Sequence, residues 1–384
     1  TRSGMSENLR PLKDQFKDIK RAFKKHGNFL PATIDEPPEE PQPPDVDKTE
    51  DDSNFDSRNL SYNIEPQPDT RPYVYLGPML PRVERNFFRY FLDGSIRTYY
   101  LGEQIEGSRA YPVMATEVAS AVVNRDENGR ASIAEFQRKV ALLVPPHPPM
   151  SDDTWNELVS LKESIDHSGL KAKLEIIPLE RQEHREGVDL RTSLAGKARA
   201  VMHDIEHLSA VNLRRAMGEW LVIDGAIRKS KFLELEQTIG LAKSFSRKPV
   251  FSIDGKRPMD VVSLLSGLEE GHRTIVFKQK ILQEEVEDPV KRSVAFWYLR
   301  LRSGRGLQGP LQGIVKVDLH LPKDMLGADD VVLVNTISRG LMAEKYVSPY
   351  PTPRWHAHIY PVFVAENYIK ACMYSPMVFR GYLA

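Results

Sequence analysis

Two carboxylates in this 384-residue chain share one local setting. Asp93 follows the apolar run 87–92 and precedes Gly94-Ser95; Asp224 follows Trp220-Leu221-Val222-Ile223 and precedes Gly225-Ala226. An apolar run closing on Asp-Gly reads as a strand end where the chain turns, with glycine leaving room for a phosphate or metal beside the backbone. Glu206 lies 18 residues before Asp224, at the edge of a helical stripe formed by Val201, Ile205 and Leu208. A helix crossing the sheet turns this third acid toward the same strand ends. Three converging carboxylates repel one another unless a cation lies between them, and oxygen donors select Mg2+ or Mn2+. Such ions serve phosphodiester hydrolysis by activating water and stabilising the leaving oxygen. The plain alternative for each Asp-Gly is an ordinary turn.

Other patterns compete. His203-Asp204-Ile205-Glu206-His207 matches H-x-x-E-H, in which two imidazoles on one helix face hold zinc while Glu206 activates water. That zinc-peptidase reading leaves both Asp-Gly motifs unexplained. Residues 304–309 spell G-x-G-x-x-G, but Pro310 and a β-like run follow where a dinucleotide site needs a helix, so a strand-connecting turn is expected. Residues 240–244 mimic the end of a P-loop without its earlier glycine or the glycine directly before Lys243, so no NTPase motor is visible.

The elements that must position these residues follow from the hydrophobic pattern. Strands are expected at 87–92, 97–101, 140–144, 174–178, 220–223, 294–301 and 313–319, and helices at 152–167, 188–217, 257–268, 327–343 and 359–372. An opening run of strands followed by strand–helix alternation predicts an α/β domain with a mixed central sheet flanked by helices, over 71–384. Ahead of it, residues 1–28 carry a net charge of +5 and a stripe of Leu9, Leu12, Phe16, Ile19 and Phe23 at helical spacing. This basic amphipathic arm either docks on its own domain or reaches a partner. Residues 1–4, ahead of Met5, read as an expression-tag scar. Residues 29–70 form a Pro-rich acidic stretch, with a net charge of −8 over 31–60, and are expected to be a disordered linker.

The 53 basic and 53 acidic residues cancel, which at face value speaks against nucleic acid. By position the zero is a sum of blocks, and 61–384 carries +3, too little for strong non-specific DNA binding unaided. A single cysteine, Cys372, excludes an intramolecular disulfide framework and a Cys-rich zinc module, and points to a reducing, cytoplasmic setting. The longest apolar run in the middle of the chain, 140–144, is far shorter than the roughly 18–20 residues that span a bilayer, and no secretory signal opens the chain.

Taken in order, the motifs resemble the NurA family of nucleases. They are Phe91-Leu92-Asp93-Gly94-Ser95, Glu206, Val222-Ile223-Asp224-Gly225-Ala226, Ile239-Gly240-Leu241-Ala242-Lys243-Ser244, and Tyr350-Pro351-Thr352-Pro353 ahead of Ala357-His358. The resemblance covers about 85–375; Ala226 stands where the family more often has Ser or Pro, and His356 is a neighbour competing with His358. It implies an RNase H-like, PIWI-related core, a homodimer, and Mn2+-dependent (or Mg2+-dependent) degradation of DNA beside HerA, a hexameric ring ATPase. DNA end resection and repair, or anti-phage defence, are the implied settings. Asp93, Glu206 and Asp224 would bind metal, and His358 would complete the site as ligand or proton carrier. Lys243 would meet phosphate or offset negative charge, Tyr350 would position DNA or a water, and Ser95 would lie on the substrate side. A non-catalytic scaffold subunit of a HerA-type complex is the alternative.

Overall fold

A computed structural model describes residues 2–32, 60–66, 71–78, 88–147, 150–168, 172–184, 187–227, 230–247, 249–253, 258–280, 293–303, 309–345 and 355–375. The chain begins with helix α1 (Arg2–His26) and strands β1 (Asn28–Pro31), β2 (Leu60–Asn63) and β3 (Tyr73–Tyr75). Three long strands follow, β4 (Phe88–Glu106), β5 (Arg109–Arg125) and β6 (Ala131–Val144), then α2 (Asp152–His167) and β7 (Leu174–Pro178). Next come α3 (Leu190–Asn212), β8 (Trp220–Asp224), the short α4 (Ser230–Leu233), β9 (Thr238–Ala242), β10 (Val250–Ser252), β11 (Met259–Asp260) and α5 (Val261–Ser266). The described chain closes with β12 (His272–Thr274), β13 (Phe277–Lys280), β14 (Ser293–Arg300), β15 (Ile314–His320), α6 (Ala328–Glu344) and α7 (Tyr360–Cys372).

These strands form one mixed sheet in the order β11-β10-β2-β13-β14-β15-β9-β8-β4-β5-β6-β7, with β1 added to β4 and β12 joining β14 to β3. β4 pairs with antiparallel β5 along nearly its whole length. Its other edge is divided: parallel β8 lies along Phe88–Leu92 and antiparallel β1 along Gly102–Ile105. Among the described residues no strand pairs with that edge between Gly94 and Tyr100. Asp93 thus stands just past the last residue of β4 that pairs with β8.

Successive residues of a strand point to opposite faces, and this sorts the helices. Met114 and Val118 of β5 pack with Leu194, Ala198, Val201 and Ile205 of α3. Ala119, Ala121 and Val123 instead join Val334, Ile337 and Leu341 of α6 and Val362, Ala365 and Ile369 of α7. Thus α3 covers one face, while α6 and α7 cover the other. No described helix is long and apolar enough to cross a membrane.

Helix α1 lies on the α7 side, where Leu12, Phe16, Ile19 and Phe23 pack with Val113, Ala115 and Leu142. Gln15 fixes its position by donating to Ala172 O at 3.1 Å and accepting from Leu174 N at 2.7 Å. This arm buries its stripe in its own domain, leaving its lysines outward. The expected linker also needs correction at both ends. Residues 28–31 and 60–63 are strands, because their backbone groups find partners on β4, β10 and β13. Residues 33–59 lie outside the described residues.

Other expectations shift in an instructive way. From residue 88 onward, the strands expected at 87–92 and 97–101 belong to one strand, Phe88–Glu106, so Asp93-Gly94 is not a turn; residue 87 lies outside the described residues. β5 was not anticipated: both its faces are buried, and a strand covered twice lacks the alternation that marks a half-exposed one. α2 and β7 fall where expected; Ser151 caps α2 by accepting from Thr154 N. The helix expected at 257–268 shrinks to α5, with Met259–Asp260 drawn into the sheet.

Candidate active site

Leu92 and Ile223 are paired in parallel register, so Asp93 and Asp224 come next on adjoining strands. They share the strand face of Phe91 and Val222, which belong to the core beneath α6 and α7. Asp93 is 6% exposed, and Gly94 N donates to its Oδ1 at 2.9 Å. Burial pushes the Asp93 carboxyl well above the ordinary range; the charge of Asp224 adds to this, Lys243 opposes it, and Glu366 and Glu206 push the same way. Asp224 ends β8, and Gly225 turns the chain away at φ +129° while donating to Leu241 O at 3.0 Å.

β9 supplies the positive charge. Gly240 lets this strand lie close to the turn after Asp224, since a Cβ there would stand 2.7 Å from Gly225 O. Three residues on, Lys243 Nζ donates to Asp224 Oδ2 at 2.7 Å and lies 3.3 Å from His358 Nδ1. Its side chain is 8% exposed. Burial would lower the Lys243 pKa, but Asp224 and Asp93, with help from Glu366, outweigh it and raise the value. An ammonium donates, so the Nδ1 it faces is the acceptor and the ring proton sits on Nε2.

His358 is buried just ahead of α7, after the short 3-10 turn Trp355–Ala357. Its Nδ1 is 3.9 Å from Glu366 Oε2, and Lys370 Nζ donates to Glu366 Oε1 at 2.6 Å. Burial raises the Glu366 carboxyl, but the Lys370 hydrogen bond and the Lys370 and Lys243 charges outweigh it and the net shift is downward. The far end of α7 is tied to the sheet: Arg138 Nη1 donates to Cys372 O at 2.8 Å, and Tyr374 N to Glu117 Oε1 at 3.0 Å. Burial pushes that fully covered Glu117 up to about 7, against the pull of the Tyr374 N–H, Arg138 and Arg97. Of the two neighbouring histidines, His358 is the one that faces Lys243, while burial and the Arg302 charge depress the pKa of His356.

Glu206 arrives from the opposite helical layer. It is buried on α3, and a Cβ placed on Gly94 would lie 2.2 Å from its Oε1. The missing side chain at Gly94 is thus the opening through which Glu206 meets β4. Its Oε2 is 2.8 Å from His203 Nδ1. Leu208, expected on the apolar stripe, is 47% exposed; Leu194, Ala198, Val201, Ile205 and Ser209 form the buried side. The H-x-x-E-H pattern divides here, since His203 bonds Glu206 while His207 meets the Phe232 ring edge-on at 5.6 Å.

The structure therefore brings Asp93, Asp224, Lys243 and His358 together, with Glu206 behind Gly94. Ser95 lies on β4 opposite Ala119, and Tyr350 lies outside the described residues. Glu366 was missed by sequence reasoning, because Glu366 and Lys370 at i,i+4 look like an ordinary solvated helix pair. Among the described residues no three His, Cys, Asp or Glu side chains form a ready-made metal set. The donor chemistry nevertheless suits a hard cation: burial and the charges of Asp224, Glu366 and Glu206 all disfavour a bare Asp93 carboxylate, and Lys243 is the cation that now answers them. Neither a known protein-family model nor a curated protein matches the sequence.

Proposed function

We propose that this chain is a metal-dependent deoxyribonuclease of the NurA type. The observation that carries the reading is the pairing of Asp93 and Asp224 at adjoining strand positions, with Glu206 packed against Gly94 from the α3 face. Support for an RNase H-like core comes from the strand order β6-β5-β4-β8-β9. Counted along the chain this is a 3-2-1-4-5 sheet in which only the second strand runs against the others.

Asp93, Asp224 and Glu206 would hold Mn2+ or Mg2+, with His358 at the rim. When bound, the ion would supply Lewis-acid activation of water and neutralise charge on the phosphate. Within the chain's own machinery, His358 stands beside Lys243 as a further ligand or a proton carrier. Lys243 offers the site's positive charge to a phosphate, and Ser95 lies two residues along the open edge of β4. With a weakly basic body and no motor motif, the enzyme would act as a homodimer on DNA fed by a HerA-type hexameric ATPase, in end resection or anti-phage defence.

The test is Mn2+-dependent degradation of DNA by purified wild type and Asp93→Asn, alone and with a HerA-type ATPase, with folding checked by circular dichroism. Cleavage by wild type and none by a folded Asp93→Asn is expected; equal rates would remove the site assignment. The Lys243–Asp224 ion pair favours one second reading, a non-catalytic scaffold, whose signature is no cleavage in either state.

A further inference from the structure

We propose that Lys243 is a resident cation that a divalent metal must displace, and that Glu366 then takes over its contact with His358. The proposal rests on the reading of this site as a metal centre. A buried ammonium beside Asp224, within the field of Asp93 and Glu366, balances the acids while no metal is bound. It also engages one carboxylate oxygen of Asp224, an acid that a metal shared with Asp93 would draw on. An ammonium and a divalent ion cannot both occupy that position, because like charges at contact in a water-poor site repel strongly. Lysine suits a movable role, being a compact charge on a flexible four-carbon stem.

His358 couples to this exchange. With Lys243 donating to Nδ1, the proton sits on Nε2 and that nitrogen cannot bind a metal. Once Lys243 leaves, Nδ1 has Glu366 Oε2 as its acceptor, 3.9 Å away before any adjustment. The ring then changes tautomer with no net proton uptake: Nε2 loses its proton, Nδ1 carries one toward Glu366, and the Nε2 lone pair is freed. Glu366 is a positioning residue in this scheme, and the carboxylate–imidazole pairing is one that commonly orients metal-binding histidines.

Mn2+ binding by the full chain, followed by calorimetry, tests the displacement. Lys243→Gln should bind Mn2+ at least tenfold more tightly than wild type and gain a larger thermal shift from it, with binding lost in Asp93→Asn. Equal or weaker binding by Lys243→Gln overturns the displacement and leaves the nuclease reading standing. No binding by wild type or Lys243→Gln overturns both. A second measurement needs no variant: amine-selective acetylation read by mass spectrometry should find Lys243 protected without metal and modified with Mg2+. Unchanged labelling in wild type that binds Mg2+ would also overturn it. Nitrogen NMR should show His358 moving from the Nε2–H to the Nδ1–H tautomer with Mg2+, and Glu366→Gln should weaken that change.

Discussion

Asp93 stands inside β4, which continues to Glu106, whereas Asp224 is the last residue of β8. The two Asp-Gly pairs thus begin from one dipeptide and meet opposite surroundings. At the first, the aspartate is buried with other acids for neighbours, and its glycine is needed as empty space for Glu206. At the second, the aspartate has a lysine partner and its glycine is needed for a left-handed turn with nothing within 4 Å of its missing side chain. A chemical motif acquires its role from the strand beside it as much as from its own residues.

The contrast predicts different failures. Gly94→Ala should have the largest effect: its methyl must push the Glu206 carboxylate aside, lowering Mn2+-dependent cleavage by about 100-fold with the fold retained. A cleavage assay beside a circular-dichroism melt checks this. Asp224→Asn should destabilise the metal-free protein by about 3 kcal/mol, because a buried ammonium loses its counter-charge. Gly225→Ala should cost about 1–2 kcal/mol through backbone strain alone, since space is free but the φ is not. Urea unfolding measures both.

The smallest effect has the opposite sign. The folded chain holds a proton on Asp93 at pH values where the unfolded chain has released it, so this residue's contribution to stability falls as pH rises above about 4. Asp93→Asn lacks that loss, and its stability relative to wild type should increase between pH 4 and pH 7. An equal difference at both pH values would show that burial and the acids around Asp93 do not penalise its charge.

Much of the frame was legible in the sequence, for identifiable reasons. α2 fell where its hydrophobic pattern put it, and the apolar stripe of α1 was plain from Leu12 to Phe23. β5 was not legible, because Val113 to Val123 are buried on both faces and carry no alternation. The reading of Asp93 reached the right neighbourhood through the wrong backbone: β8, and not β4, ends beside it. Glu366 carried no signal, since its partner His358 is eight residues away and held beside it by the turn into α7.

Residue chemistry alone determined that acids, a lysine and a histidine were available, and that charge was split between a basic helix, an acidic stretch and a nearly neutral body. Tertiary structure decided which of them meet. Parallel pairing set Asp93 beside Asp224, the bare Cα of Gly94 admitted Glu206 from the other face, and close packing of β9 placed Lys243 on Asp224. Local sequence encodes the propensity of a segment, but electrostatic interaction acts across space, between residues as far apart in the chain as Lys243 and His358.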